Sequence, residues 1–136
     1  MRKELDEKLC ADFPLIFKNR HGSMQETCMC WGFECGDGWY WLIDKLCRML
    51  MWNGQTGKPH TEPPTASQVK EKYGTLRFYV DGANEQQYNY ILMAECLSGS
   101  ICESCGSTRD VSQTEGWLRT RCLACHQEDG NIPYGN

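Results

Sequence analysis

Hydrophobic residues recur along this 136-residue chain at two periods, one helical and one extended. From residue 39 to residue 51 they follow steps of three and four, which is the pattern of an amphipathic helix that buries one face. Asp37 precedes this stretch, where a carboxylate can accept hydrogen bonds from the free N–H groups of the first turn, so we predict that it caps the helix. Residues 2–12 follow the same steps and predict a first helix.

An extended segment follows a loop rich in proline, glycine and threonine at residues 53–67. Apolar and polar residues alternate in residues 75–80, which is the period of a half-buried strand. Gly74 separates this strand from residues 69–73, which we predict to pair back with it as a hairpin.

A third helix is predicted from Asn84, a favourable N-cap residue, to Gly99, a favourable helix terminator. Tyr88, Ile91 and Leu92 are expected on one face of it. The helix runs directly into the cysteine-rich end of the chain, so that segment is expected to dock on the core.

Four of the ten cysteines form two C-x2-C pairs separated by sixteen residues. Cys102, Cys105, Cys122 and Cys125 have the spacing of a tetrahedral zinc site built on a hairpin and a short final helix, as in a zinc ribbon or treble clef. Four thiolates leave no open position for water, so one Zn²⁺ with a structural role is expected. His126 follows Cys125 directly and could replace it as a ligand, but we expect its side chain to be exposed to solvent.

These elements predict an α+β fold in which two or three helices pack on a small antiparallel sheet. A hydrophobic fraction of 40% and an aromatic fraction of 11% favour a packed core over disorder. Residues 1–97 are assigned to the core, and residues 98–136 to a zinc-binding module docked on it.

The net charge argues against a protein that binds nucleic acid through the phosphate groups. The formal net charge is −4, from 14 basic and 18 acidic residues, whereas such proteins carry a basic excess or a basic stripe. In residues 98–125 three arginines balance three carboxylates. No apolar leader and no run long enough to span a bilayer is visible, so we expect a cytosolic protein with reduced thiols and no membrane contact.

Three further cysteines, Cys28, Cys30 and Cys35, lie within eight residues of one another. They are candidates for a second metal site, and the alternative is that they are reduced cysteines packed as small apolar side chains. Cys35 lies near the start of the helix predicted at residues 39–51, where a helix dipole can lower a thiol pKa, but no motif supplies a histidine base. We therefore expect that the protein is not an enzyme.

Three blocks occur in the order GFECGDGW…LIDKLC, QVKEKYGTLRFYVDG and ICESCG…GWLRTRCLAC. Because of these blocks, the chain resembles a family of small proteins encoded by tailed bacteriophages over residues 32–125. The resemblance implies a phage accessory protein in the cytoplasm of an infected bacterium, one that counteracts a host process or defence component. In that family the last metal ligand is often histidine, whereas here Cys125 holds the position and His126 follows it.

Such a protein would bind either a host protein or a nucleotide second messenger. For a nucleotide, arginine can clamp a phosphate and tyrosine can stack on a base, and the predicted strand carries both on the face away from the core. The alternative is an ordinary solvated strand face. The ligand-binding candidates are Lys70, Lys72, Thr75, Arg77 and Tyr79.

For a protein partner, aromatic and arginine side chains of the types favoured at interface centres lie on or just after the helix predicted at residues 39–51. The alternatives are burial inside the domain or in a homo-oligomer. The interface candidates are Tyr40, Trp41, Arg48 and Trp52. The alternative function is a zinc-finger protein that binds nucleic acid or regulates transcription, with a steep dependence on salt.

Overall fold

The computed structural model describes residues 1–130 and confirms the α+β architecture. The last part of the predicted zinc module, residues 131–136, lies outside the described residues. The α-helices of the described part are α1 (Lys3–Asp12), α2 (Tyr40–Met51), α3 (Glu85–Ser98) and α4 (Leu123–Glu128).

The strands of residues 1–130 are short and form three separate sheets. They are β1 (Phe33–Glu34), β2 (Trp52–Asn53), β3 (Lys58–Pro59), β4 (Thr65–Lys72), β5 (Thr75–Asp81), β6 (Val111–Gln113) and β7 (Thr120–Cys122). The main sheet has the order β1-β4-β5, while β2 pairs with β3 and β6 pairs with β7. The pairs are antiparallel except for β1 with β4, which is parallel.

The predicted hairpin is confirmed as β4 and β5, which are joined by Tyr73 and Gly74. Both linking residues have positive φ angles, 54° and 81°, as a two-residue type I′ turn requires. Strand β4 begins at Thr65, inside the segment predicted as a loop. Tertiary contacts cause this difference, because Ala66 is fully buried and its N–H donates to the carbonyl oxygen of Ile16 at 2.8 Å.

The hydrophobic core lies between the main sheet and helices α2 and α3. Leu76 and Phe78 project into it from β5, as the alternating pattern predicts, and Val69 does so from β4. Phe17, in the connection after α1, packs edge-on against Phe33 and Phe78 with ring centroids 4.9 and 6.2 Å away. One face of the β4–β5 hairpin is therefore fixed by the core, and the opposite face is partly exposed to solvent.

Helix α2 has the predicted buried stripe, but its start differs from the prediction. Asp37–Trp39 forms a single 3-10 turn before α2, and no side chain caps either element. Asp37 Oδ1 instead accepts a 2.7 Å hydrogen bond from the backbone N–H of Arg2, the N-cap residue of α1. The prediction that Asp37 caps the following helix is therefore wrong, because its carboxylate binds a free N–H group at the start of α1.

Helix α3 starts with the predicted cap. The side chain of Asn84 accepts from the N–H of Gln87 at 2.8 Å, and the Gln87 side chain accepts from the N–H of Asn84 at 2.9 Å. Ile91 is buried, whereas Tyr88 and Leu92 are exposed, so these three residues do not share one environment. The buried residues of α3 are Gln87, Ile91, Ala94 and Ser98.

Candidate metal centre

The four C-terminal cysteines come together as the sequence predicts. The sulfur atoms of Cys102, Cys105, Cys122 and Cys125 all lie within 4.8 Å of one another. The Sγ atoms of Cys105 and Cys122 are 3.7 Å apart. A tetrahedron with metal–sulfur bonds of about 2.3 Å has edges of about 3.8 Å, so the donor set fits a tetrahedral thiolate site for one metal ion.

Two backbone elements hold these sulfurs in place. The first pair lies on a knuckle, in which the N–H of Gly106 donates to Cys102 O and the N–H of Cys102 donates to Ser107 O, both at 2.8 Å. The β6–β7 hairpin then leads back to Cys122, the N-cap residue of α4, and Cys125 lies in the first turn of that helix. This order of knuckle, hairpin and helix is that of a treble clef.

The four thiols are too close together to ionise at once without a cation among them. Burial alone would raise the pKa of Cys102, but hydrogen bonds from the backbone N–H groups of Cys105 and Cys122 lower that pKa to about 7. Burial and the neighbouring sulfurs raise the pKa of Cys125 to about 12. A divalent metal ion would supply the positive charge that lets all four bind as thiolates.

His126 is fully buried, so the prediction of a solvent-exposed side chain is wrong. Its Nε2 donates to the carbonyl oxygen of Ser112 on β6 at 3.0 Å. Its Nδ1 has no hydrogen-bond partner among residues 1–130. His126 is not part of the four-sulfur group. It connects α4 to β6, the first strand of the hairpin that leads to the second cysteine pair.

The knuckle contacts the segment that precedes α2. The N–H of Gly36 donates to Glu103 Oε2, and the N–H of Gly38 donates to Glu103 O, both at 2.8 Å. The other carboxylate oxygen of Glu103 accepts from Arg121 at 3.3 Å. A Cβ on Gly38 would overlap the carbonyl oxygen of Cys102. The glycines of the first sequence block and the cysteine knuckle of the third block are therefore two sides of one contact.

Two further hydrogen bonds join residues 98–130 to the core. The indole N–H of Trp39, a fully buried side chain, donates to Ile101 O at 2.9 Å. At the far end of the sheet, the hydroxyl of Thr120 donates to Gly74 O in the β4–β5 turn. The metal centre is thus held against both the start of α2 and the tip of the main hairpin.

The three cysteines considered for a second metal site are not brought together. Among the described residues, the four C-terminal cysteines form the only group of three or more potential ligands with this spacing. Cys28 is exposed, Cys30 is half-buried and Cys35 is buried. Cys28–Trp31 is a 3-10 turn that buries Met29, so the cysteines on either side of Met29 point elsewhere. The alternative, cysteines packed as small apolar side chains, describes Cys35, whereas Cys28 is a free cysteine that is exposed.

Cys35 is expected to be unreactive in the native protein. Burial raises the pKa of its thiol to about 12, so at pH 7 only about one molecule in 10⁵ carries a thiolate there. Alkylation at neutral pH, followed by peptide mass spectrometry, should modify the exposed Cys28 and Cys96 and leave Cys35 intact. Denatured protein, modified at every cysteine, is the control. Fast modification of Cys35 in the native protein would contradict this prediction and would indicate a reactive thiol.

The ligand-binding candidates share one face of the β4–β5 hairpin. Lys70 lies opposite Arg77 and Lys72 lies opposite Thr75, while Tyr79 follows Arg77 on the same face. Arg77 donates to Thr75 Oγ1 at 2.7 Å, which orients the guanidinium. None of these three cations forms an ion pair within residues 1–130. The strand register therefore places on one face side chains that the sequence showed only to be close together in the chain.

Two carboxylates share this face, Glu34 at its β1 edge and Asp81, which follows Tyr79 on β5. Glu34 lies opposite Lys70 in the parallel β1–β4 pair. Its Oε1 accepts from the side-chain amide of Gln68 at 3.4 Å. Three cations against two carboxylates leave this face with one excess positive charge, within a chain whose net charge is −4.

A cavity of about 410 Å³ lies beside two of these cations, towards the turn of the hairpin, and Glu71 also lines it whereas Arg77 does not. Lys70 and Lys72 line it together with Tyr73 and Trp117, whose side chains are 70% and 80% exposed. Sequence analysis missed both aromatic residues. Trp117 belongs to the β6–β7 connection, which comes near the hairpin turn through Thr120 and Gln113.

The interface candidates do not form one patch. Trp41, which is 63% exposed, lines a groove between α2 and α3. Arg48 pairs with Asp44 on α2 at 3.0 Å. Tyr40 packs against the edge of the core, and Trp52 lies in β2. Tyr40 and Trp41 also line one cavity of about 550 Å³ that reaches Cys105, so two of the four candidates share a concave surface.

The fold and the site define a small α+β protein with a cluster of four cysteines, able to hold a metal ion, docked on its core. Comparisons of the chain with protein-family models, with curated proteins and with solved structures find no match. Within residues 1–130, no helix combines the length and the apolar character needed to cross a membrane. Function must therefore be inferred from the surfaces described above.

Proposed function

We propose that this protein is a non-enzymatic accessory protein of a tailed bacteriophage. It acts in the cytoplasm of the infected bacterium and counteracts a host component by binding it. The bound component is a nucleotide second messenger, which the protein captures on the β4–β5 face without converting it. A single structural zinc ion holds the C-terminal module in place.

The donor set supports zinc. Four thiolates in tetrahedral arrangement are typical of structural zinc sites, and all four positions of such a site are filled by protein. Among the described residues, the group consists of four cysteine sulfurs and includes no carboxylate or histidine. The ion would stabilise a segment whose own apolar core consists of little more than the cysteines and Val111.

The unpaired cations of the β4–β5 face support nucleotide capture. Lys70, Lys72 and Arg77 lie on one face and make no ion pair within residues 1–130. A phosphate group can accept charge-assisted hydrogen bonds from such side chains. Tyr73 and Trp117 border the adjoining cavity and offer exposed rings on which a base can stack. The cavity falls within the roughly 300–1,000 Å³ of small-molecule sites.

A charge-reversal experiment tests the site. Arg77→Glu and Lys70→Glu are each expected to weaken binding of a captured nucleotide at least about tenfold, since a hydrogen bond to a charged group contributes about 1.5–3 kcal/mol. Lys18→Glu is the matched control, because Lys18 is an exposed lysine outside this face with the same change in charge. Isothermal titration with a panel of linear and cyclic mono- and dinucleotides measures the affinities.

Native mass spectrometry of protein purified from bacteria reports the metal count and any retained nucleotide. Equal affinity of the charge-reversed and control variants would contradict the assignment of the face. Failure to retain or bind any nucleotide would contradict capture altogether. Binding to single-stranded nucleic acid, with affinity falling steeply as salt rises, would instead favour the alternative nucleic-acid-binding function.

A further inference from the structure

A second cavity borders the β4–β5 face at the end away from the hairpin turn. It measures about 550 Å³, and Gln68 and Tyr79 line it from the two strands. The side chain of Tyr79 is 41% exposed, so its ring is available for stacking. Asn19, in the segment between α1 and β1, lies on another wall. We call this the distal cavity, and we call the cavity that Lys72 and Trp117 line the turn cavity.

The two cavities differ in charge. Glu26 and Asp81 line the distal cavity, and neither carboxylate forms an ion pair within residues 1–130. Carboxylates repel a phosphate group, but they accept hydrogen bonds from N–H donors. Adenine, guanine and cytosine carry such donors on an exocyclic amino group, whereas uracil has no amino group. The distal cavity is therefore suited to a base and not to a phosphate.

Positive charge lies between the two cavities. Gln68 in the distal cavity and Lys72 in the turn cavity are four residues apart on β4, which is about 13 Å along a strand. Lys70 lies midway between them, opposite Arg77 on β5. The face thus has a cavity with an aromatic side chain at each end and two cations in the middle.

We propose that the β4–β5 face binds a dinucleotide, with its phosphate groups on Lys70 and Arg77 and one base in each cavity. The inference rests on the proposed capture of a nucleotide and names the class of nucleotide. A base on each side of a central phosphate occupies both cavities, whereas a mononucleotide leaves one of them empty. The base in the distal cavity stacks on Tyr79 and donates its exocyclic amino group to the carboxylates there.

Isothermal titration of the metal-loaded protein tests the proposal by comparing each dinucleotide with its own mononucleotide. The probes are linear and cyclic diguanylate, diadenylate and diuridylate, together with GMP, AMP and UMP. Diguanylate or diadenylate should bind at least about tenfold more tightly than GMP or AMP, as expected when one further base stacks on an aromatic ring. Diuridylate should bind more weakly than both, because uracil has no amino group for the distal carboxylates.

Tyr79→Ala tests the distal cavity. It should remove the preference for the dinucleotide, so that the ratio of the two affinities falls to near one. Tyr79→Phe keeps an aromatic ring and should keep the preference. Tyr88→Ala is the matched control, because Tyr88 is 49% exposed on α3, outside this face, and it should also keep the preference. Thermal melts of each variant establish that it is folded.

Failure of this proposal is distinguishable from failure of nucleotide capture. A dinucleotide and its mononucleotide that bind equally well, and that Arg77→Glu weakens alike, would overturn the proposal and leave capture intact. A Tyr79→Ala protein that keeps the full preference, or diuridylate that binds as tightly as diguanylate and diadenylate, would overturn it too. Failure to bind any nucleotide would contradict both.

Discussion

Replacement of Cys102 by serine is expected to abolish metal binding and to unfold the C-terminal module. Cys102 is fully buried and is the sulfur most favoured as a thiolate. Serine leaves three thiolates and a buried hydroxyl that binds zinc poorly. Zinc binding contributes about 10–16 kcal/mol in zinc-finger peptides, a scale comparable with the about 5–15 kcal/mol stability of a whole domain. We expect the melting temperature to fall by more than about 10 °C.

Metal analysis measures the zinc content and calorimetry measures the melting temperature, and together they test this prediction. The wild-type protein should contain one equivalent of zinc, and Cys102→Ser should contain almost none. Cys28→Ser is the control, because Cys28 is exposed and lies outside the sulfur cluster. It should keep both the metal and the melting temperature. A Cys102→Ser protein with a full equivalent of zinc would contradict the four-cysteine site.

The effect should extend into the core, because the knuckle and the core share hydrogen bonds. When the knuckle unfolds, Gly36 and Gly38 lose their acceptors on Glu103, and Trp39 loses the carbonyl oxygen of Ile101. An unpaired buried N–H costs about 1–3 kcal/mol. Hydrogen exchange should therefore speed up at the start of α2 as well as in the module when the metal is removed with a chelator.

The sequence predictions that are confirmed depended on local signals, which come from residues close together in the chain. The C-x2-C spacing places two sulfurs on one turn whatever the rest of the chain does. Asn84 caps α3 because its own side chain reaches the N–H of Gln87 three residues on. The alternation in residues 75–80 is likewise a property of neighbouring residues, and β5 follows it.

The predictions that failed depended on contacts between residues far apart in the chain. Asp37 has the residue type and position of a cap, but a backbone N–H at Arg2 binds its carboxylate instead. His126 is buried because the β6–β7 hairpin folds over α4, which no local pattern indicates. Tyr88 and Leu92 have helical spacing with Ile91, yet spacing alone does not say which face of a doubly apolar helix meets the core.

The β4–β5 face was likewise predicted only in part, because some of its residues come together through long-range contacts. The alternating pattern put Thr75, Arg77 and Tyr79 on one side of a strand. The pairing of Lys70 with Arg77 required the register, which the two-residue turn fixes. Trp117 required the packing of the module against that turn, a contact between segments far apart in the chain.

Gly38→Ala is expected to detach the knuckle from the core while leaving the metal bound. A Cβ at residue 38 would overlap the carbonyl oxygen of Cys102 and would lie 2.6 Å from both Glu103 O and Gly106 N. These are backbone atoms, which cannot rotate away as a side chain can. Overpacking of this kind costs about 1–3 kcal/mol or more, which corresponds to a fall in melting temperature of about 5–10 °C.

The matched control is Gly54→Ala, because a Cβ at residue 54 would meet only Trp52 Nε1, at 3.7 Å. Its melting temperature should change little. The Gly38→Ala protein should still bind one equivalent of zinc, because the knuckle can move away from residue 38 as a unit and keep its own hydrogen bond from Gly106 N–H to Cys102 O. Its amides at Gly36 and residue 38 should exchange faster, since both donate to Glu103 in the native protein. Unchanged stability and exchange would mean that the glycines of GFECGDGW are not held against the knuckle, whereas loss of zinc would mean that docking and metal binding are a single event.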